Sequence, residues 1–396
     1  MGSLDDLKIL DFSTLLPGPY ATLMLADMGA EVLKISSASR PDIVLDYPPF
    51  IGDTGVSASQ AWLGRNKKTM FLNLKTGEGK AVVKELVKEY DIVLEQFRPG
   101  VMEKLGLGYE DLKAVNPKLI YCSLTGYGQT GPLRDAAGHD INYMSRSGII
   151  SQAGRRESGP SLMNFQIADI AVGSMNSVIG ILAAVNYRKN TGKGQYIDVA
   201  MMDGCVPFNS LDGAGFLVSG KEPKREGERL NGGCIYDFYE TKDGEYLSVG
   251  SLEPQFWSRF CTAIGREDLI EGTVYPPNID EVKAEIRGIL KTKTRDEWVE
   301  VFSHYDACVQ PVLNLKEALL EDEQVKEREM VVDVKLPLHE DVSVKQLATA
   351  VKLSECPCEY KFAGYPTGYH TKEVIEQLGM DYAELKAKGV FFVKTY

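Results

Sequence analysis

From residue 7 onward the chain alternates short β-branched runs with amphipathic stretches that carry helix signals. Residues 7–12 read as a strand, 17–28 as a helix that opens on Pro17 and is closed by Gly29, and 31–35 as the next strand. A third strand is predicted over 70–74, then a helix over 78–90 with Val82, Val83, Leu86 and Val87 at helical spacing. Strands over 91–95 and 119–124 follow, separated by helical segments around Val101 and Tyr109. Strand, helix, strand in succession implies parallel crossovers. The N-terminal half is therefore predicted to be a doubly wound, Rossmann-like α/β layer with ligands at the carboxyl ends of its strands.

Residues 168–189, rich in Ala, Gly and Ser and apolar on most faces, predict a long buried helix, and Gly192-Lys193-Gly194 turns into a strand over 195–200. The polar stretch 221–233 marks a boundary. Beyond it, 235–241 and 245–249 form a hairpin about Lys242-Asp243-Gly244, and helices are predicted over 255–264, 280–290 and 295–305. The expected division is a large Rossmann-like domain over 1–220 and a small α+β domain over 230–325. Residues 330–396, with short strand-like runs and one helix near 372–378, are too little to fold alone and are expected to complete the large domain.

Composition narrows the function. In 396 residues, 44 Lys and Arg stand against 56 Asp and Glu, a formal charge of −12, and no Lys/Arg-rich run supplies a local exception. Non-specific nucleic-acid binding is disfavoured, and an anionic ligand must meet a few well-placed cations. No stretch approaches the ~20 consecutive apolar residues of a membrane span, and the start lacks a charged region followed by a long apolar one; a cytoplasmic chain without membrane partners is expected. The seven cysteines are scattered and odd in number, so they read as structural thiols, and the four histidines show no metal-ligand spacing. No metal is expected. After the first strand stands Leu15-Leu16-Pro17-Gly18-Pro19-Tyr20 in place of G-x-G-x-x-G, and no P-loop occurs, so nucleotide-cofactor chemistry loses its main support.

Three places could carry chemistry. In Gly138-His139-Asp140-Ile141-Asn142-Tyr143 a His-Asp pair sits at a predicted helix start, where Asp140 reads either as a cap or as a functional acid, and His139 either as a surface imidazole or as a base. Asp169, acidic among apolar neighbours at the start of the long helix, reads either as a cap or as a buried acid/base group. Glu253, after a strand and before Pro254, could be a helix-start anion. Singly, none decides the function.

Taken together with Pro17-Gly18-Pro19, Leu25 to Ala30, Phe97 to Leu105, Gly126 to Gln129, Gly192 to Gln195, Gly250 to Phe256 and Asp306 to Val312, these segments resemble the class III (CaiB/BaiF-type) CoA-transferase superfamily over nearly the whole chain. Gly138 to Tyr143 and Glu253 to Phe256 favour its α-methylacyl-CoA racemase branch. The resemblance implies an isomerase without a cofactor, the CoA thioester being its substrate. It gives His139 and Asp169 as acid/base groups on opposite faces of the α-carbon of a 2-methylacyl-CoA, with Glu253 paired to His139 and Asp140 to Asp169. Such chemistry needs one tuned base to remove the α-proton, a separate acid to return it, and donors for the enolate oxygen. The resemblance also places CoA on Leu72, Lys75, Arg98, Lys104, Gly138 and Tyr143. Arg40 matches a CoA-contacting arginine across a stretch where Ser36-Ser37 replace the acidic residue usual in relatives. Arg65, Lys67 and Lys68 form another local basic group, in which Lys67 and Lys68 read as solvated surface.

An interlocked homodimer is implied as well, its active site combining His139 and Asp169 of one chain with Glu253 of the other. The competing reading is a CoA-transferase of the same fold with Asp169 as nucleophile. A non-catalytic CoA-ester-binding protein would not need His139, Asp169 and Glu253 together. The acyl chain is expected on apolar surface, with the helical stretch 201–218 as one location.

Overall fold

A computed structural model describes residues 2–37 and 41–391. Six strands, β1 (Lys8–Asp11), β2 (Glu31–Ser36), β3 (Lys67–Phe71), β4 (Ile92–Glu95), β5 (Ile120–Thr125) and β6 (Tyr196–Ala200), form one parallel sheet in the order β3-β2-β1-β4-β5-β6. The chain moves outward from β1 to β3, then returns to build on the other side of β1. Between β1 and β4 the order reverses, and a sheet of this kind binds ligands in the crevice at the carboxyl ends of those two strands. Every residue of β4 and β5 is buried, as expected for central parallel strands covered on both faces.

The helices explain that burial. Gly77–Leu86 starts where the Thr76 hydroxyl accepts the Gly79 N–H at 3.0 Å, and it presents Val82, Val83 and Leu86 to the sheet. Each such side chain contributes about 1.5–3 kcal/mol on full burial. Residues 167–191 form one helical run, a π-helical segment Ile167–Ser174 leading into the α-helix Met175–Thr191. It has the length and apolar composition of a membrane span, yet it lies against the helix Pro17–Asp27 and against β5. Contrary to the expectation of burial on most faces, its outer side leaves Met175, Ile179 and Tyr187 exposed.

The third strand lies three residues earlier than the pattern predicts, because its first residues look like surface and are not. Lys67 is 2% exposed, donates to the Pro19 carbonyl and the Thr22 hydroxyl, both at 2.7 Å, and sits 3.8 Å from the Asp11 carboxylate. Arg65 is fully buried in a fork with Asp27 at 2.6 and 3.0 Å. Only Lys68 fits the solvated reading, paired with Glu373 at 2.9 Å across two half-exposed side chains.

The chain divides into two compact units: Met1–Ser147, Phe165–Val206 and Glu323–Tyr396 in one, Gly148–Asn164 and Pro207–Asp322 in the other. In the larger unit an antiparallel hairpin, Val331–Leu336 with His339–Leu347, is fastened to the Rossmann-like layer through Arg65, which donates to the Gln346 side chain at 2.8 Å and the Leu347 carbonyl at 3.0 Å. The smaller unit carries a three-stranded antiparallel sheet, β7 (Asp237–Glu240), β8 (Tyr246–Val249) and β9 (Val309–Pro311), with helices Pro254–Ala263, Ile279–Leu290 and Arg295–Ser303 packed on it around Trp257, Phe260 and Trp298. Residues 148–164 and 207–219, which the sequence pattern leaves with the larger half, belong to this smaller unit.

Candidate active site

The loop after β5 is shaped by a tyrosine. Tyr143 is buried, its hydroxyl donates to the Gly138 carbonyl at 2.5 Å, and its ring meets Tyr127 edge-on at 5.2 Å. A Cβ on Gly126 would come within 2.4 Å of that ring, and one on Gly138 within 2.6 Å, so both positions must be glycine for the loop to close. The Tyr143 hydroxyl, raised to about 12 chiefly by burial, is thus a brace within the loop and not a free ligand group.

The brace presents His139 as the N-cap of the helix Asp140–Arg146. The usual division of labour is inverted there. The His139 imidazole makes no capping bond; instead the Asn142 side chain accepts the His139 N–H at 3.0 Å, while the Asn142 N–H donates to the His139 carbonyl at 2.8 Å. An exposed imidazole is left available for chemistry.

Asp140 does not cap its own helix either. Its carboxylate accepts the Asp169 N–H at 3.0 Å, so it caps the neighbouring π-helical segment, which packs against its own helix. Asp169 is in the first turn of that segment. Ser174 holds the turn, its hydroxyl lying 2.6 Å from the Pro17 carbonyl and 3.0 Å from the Asp169 carbonyl. Among the described residues nothing donates to the Asp169 carboxylate. Burial first, and the negative charge of Asp140 second, push it up to about 6. Burial raises Asp140 too, an effect opposed by the N–H it accepts. Asp169 is therefore neither a cap nor an ion-pair partner but a half-buried carboxyl poised near neutrality.

Glu253 belongs to the smaller unit. It precedes Pro254 at the start of the helix Pro254–Ala263, is exposed, and makes no capping bond. The bend before it is fixed by Gly250 N–H to the Cys308 carbonyl at 2.9 Å and by the Ser251 hydroxyl to the Ala307 carbonyl at 2.5 Å.

A cavity of about 250 Å³ opens in the larger unit at the reversal between β1 and β4. Of the residues assigned to CoA, Arg98 and Leu72 line it; Lys75 and Lys104 are exposed and do not, and Arg40 lies outside the described residues. The cation missed by sequence reasoning is Lys34, on β2, whose side chain is 8% exposed and also lines the cavity. Its ammonium donates to the Ser13 carbonyl and lies 3.4 Å from Asp11. Burial alone would raise the Asp11 carboxyl, but Lys34, Lys67 and the Ser13 and Thr22 hydroxyls more than reverse it and hold it below the ordinary carboxylate range; burial brings Lys67 down to about 7. Lys34 reads in sequence as one polar position on an apolar strand, and only the alternation of β2, which turns it inward beside Asp11, would have betrayed it. Among the described residues no cluster of three or more His, Cys, Asp or Glu could hold a metal.

The larger unit thus combines a reversal-point cavity lined by Lys34 and Arg98 with a half-buried carboxyl raised toward neutrality, on an α/β fold. The chain belongs to CoA-transferase family III, which it matches over residues 4–371. It is 35% identical to the human α-methylacyl-CoA racemase over 97% of this chain and 95% of that protein. It is 32% identical to the human succinyl-CoA:glutarate CoA-transferase over 98% and 89%. The crystal structure of a CaiB/BaiF family protein from Brucella suis superposes with a TM-score of 0.83 at 29% identity, covering 96% of this chain and all of that one. These relatives are enzymes of both reaction types.

The like charges of Asp140 and Asp169 make a direct prediction. Asp140→Asn keeps an oxygen to accept the Asp169 N–H but removes the charge, so the Asp169 carboxyl should titrate at lower pH than the value near 6 of the native protein. Carboxyl carbon NMR through pH 4–8 measures it, and an unmoved midpoint would show that burial alone sets the value.

Proposed function

We propose that this protein interconverts the two configurations of a 2-methylacyl-CoA thioester, with His139 and Asp169 as the two proton-transfer groups. The observation that carries the reading is the Asp169 carboxyl, raised to about 6 and without a hydrogen-bond donor, packed beside a helix whose N-cap imidazole is released from capping. A carboxylate of that basicity removes a thioester α-proton more readily than an ordinary surface aspartate and returns it as readily at neutral pH. The second face needs a second group, and the exposed His139 imidazole, free of any capping bond, supplies it in this reading. Glu253 orients or tunes His139, and Asp140 tunes Asp169. The negative charge that develops on the thioester oxygen is favoured near the N–H groups at the start of Asp140–Arg146. The reaction consumes no cofactor: the proton removed is matched by one returned.

A second reading has its own support in the transferase relative. A carboxylate free of donors is also a competent nucleophile, and in a CoA-transferase Asp169 would attack the thioester carbonyl, release CoA as the thiolate, and carry the acyl group as a mixed anhydride. Incubating one enantiomer of a 2-methylacyl-CoA in deuterated water separates the two. The racemase reading requires deuterium uptake at Cα with inversion, lost by several orders of magnitude in His139→Ala and in Asp169→Ala. Each variant should retain slow exchange with retention for only one enantiomer, and the preferred enantiomer should differ between them. Equal loss for both enantiomers in both variants overturns the two-base scheme on these residues, and an acyl-aspartyl adduct trapped by hydroxylamine, together with acyl exchange between CoA and a free acid, hands Asp169 to the transferase mechanism.

CoA binds, in this reading, in the cavity at the reversal of the sheet, its phosphates facing Arg98 and the residual donor of Lys34, with Lys75 and Lys104 adding attraction from the surface. Arg98→Ala should weaken CoA binding by about 1.5–3 kcal/mol, the size of a lost charge-assisted phosphate contact, measured by calorimetry. Unchanged affinity would move the nucleotide elsewhere.

The functional form is a homodimer. The helix Ser210–Ser219 buries none of its residues and exposes Leu211, Leu217 and Val218, and Ile179 is exposed on the long helix of the larger unit. Large apolar side chains exposed in this number are covered when a second chain packs on them. Light scattering should return twice the 43.7 kDa chain mass, and a monomer at micromolar concentration would contradict it.

A further inference from the structure

The smaller unit contains a cavity of about 560 Å³ walled by Met163, Leu230, Tyr236, Phe238 and Val249, none of which belongs to the 201–218 stretch expected to hold an acyl chain. That stretch is broken, Met201–Cys205 and Ser210–Ser219 being separate helices, and Ser210 takes a positive φ of 51° between them. The cavity wall continues along β8 through Ser248 and Val249 to Gly250, three residues before Glu253.

One side of this apolar cavity is charged. Arg155 and Asp237 line it, and Asp237, 9% exposed, receives three cations: Arg155 at 2.7 Å, Lys283 at 2.7 Å and Arg287 at 3.3 Å. The group holds one more carboxylate, Glu226, which pairs with Arg155 at 2.8 Å. Three cations thus share two carboxylates; the neighbouring Arg156 donates its backbone N–H to the Glu226 carboxylate at 2.8 Å and turns its own charge toward Asp280 at 3.7 Å. A guanidinium has five N–H donors. Arg155 directs Nη1 to Glu226 and Asp237 and Nη2 to the other Asp237 oxygen, and among the described residues no partner takes the rest. A surplus positive charge with free donors, at the side of an apolar cavity in a protein of net charge −12, is a site for an anion carried on an apolar stem.

We infer that this cavity takes an acyl group that ends in a carboxylate, held at its far end by Arg155. The inference rests on the reading of Glu253 as part of the reaction centre, because β8 leads from the cavity wall to that residue. Long unsubstituted chains are disfavoured by the same geometry, since their ends would press methyl groups against the ion pairs and strip water from them.

The test compares a series of 2-methyl dicarboxylic half-thioesters of CoA, of increasing chain length, with uncharged branched isosteres of each, by calorimetric Kd. At the length that spans the cavity the native protein should bind the carboxylate at least about tenfold more tightly, the factor expected of one charge-assisted contact. Arg155→Gln should reduce that preference to about twofold or less and Arg155→Lys should keep part of it. Glu226→Gln, which removes a negative charge from beside Arg155 without touching Asp237, should widen it, and it stands as the test if Arg155→Gln does not fold. Equal or reversed preference at every length in the native protein overturns the inference, as does an unchanged or narrowed preference in Glu226→Gln. Deuterium exchange at Cα, followed in the same samples, keeps the two conclusions apart: a carboxylate preference without exchange in any thioester defeats the proposed reaction and leaves the binding site standing.

Discussion

One buried carboxylate organises the larger unit. Asp11 ends β1, Lys34 reaches it from β2, Lys67 from β3, and Thr22 from the helix Pro17–Asp27, the last at 2.6 Å. A single aspartate therefore ties three adjacent strands and the first crossover helix together. Removing one partner of a buried pair typically costs about 3–5 kcal/mol because the other charge is stranded. The arrangement also has a direction. Asp11 ends β1 where the sheet reverses, and Lys34, one of the two lysines that neutralise it, lines the cavity there. The same ammonium that closes the fold lends positive potential to the ligand site.

A second constraint acts at the other side of that crevice. Asp140 accepts the Asp169 N–H in the first turn of the π-helical segment and so holds its start, and Ser174 ties its end to Pro17. Placing a carboxylate at this cap brings a negative charge beside Asp169, which a neutral capping residue would not. The cap therefore serves stability and tuning at once, its charge adding to the rise that burial already gives the Asp169 carboxyl. Tyr143 behaves similarly: by bonding to Gly138 it forces glycine at 126 and 138 and holds His139 at the helix start with its ring unengaged.

Much of this was legible in the residues. Period and punctuation gave the six strands of the large sheet, because central parallel strands are uninterrupted apolar runs and their helices carry strong end signals. The His139-Asp140 pair, Asp169 and Glu253 were visible as charged groups at helix starts, yet capping and chemistry look identical in sequence, and only the hydrogen bonds show that none of His139, Asp169 and Glu253 caps with its side chain. Lysines and arginines misled most. Lys34, Lys67 and Arg65 are long-range partners of Asp11 and Asp27, contacts separated by 23 to 56 residues along the chain, and no local pattern distinguishes them from solvated cations. Arg155 and its three-cation cluster escaped for the same reason, since its members come from four separate segments of the smaller unit.

The relatives of this chain include a racemase and CoA-transferases, and the geometry around Asp169 fits the proposed role in either reaction. A half-buried carboxylate with no donor is a better base and a better nucleophile than a solvated one, so the carboxylate alone does not choose. The choice falls to what stands opposite. Acyl transfer needs only that the thioester carbonyl carbon be held in front of the oxygen and that water be kept from the anhydride. Inversion at carbon needs a second proton-transfer group on the other face, since a single base returns the proton to the side it came from. In the proposed racemase that group is the N-cap imidazole of His139, which Asn142 exempts from capping and which acyl transfer would not require.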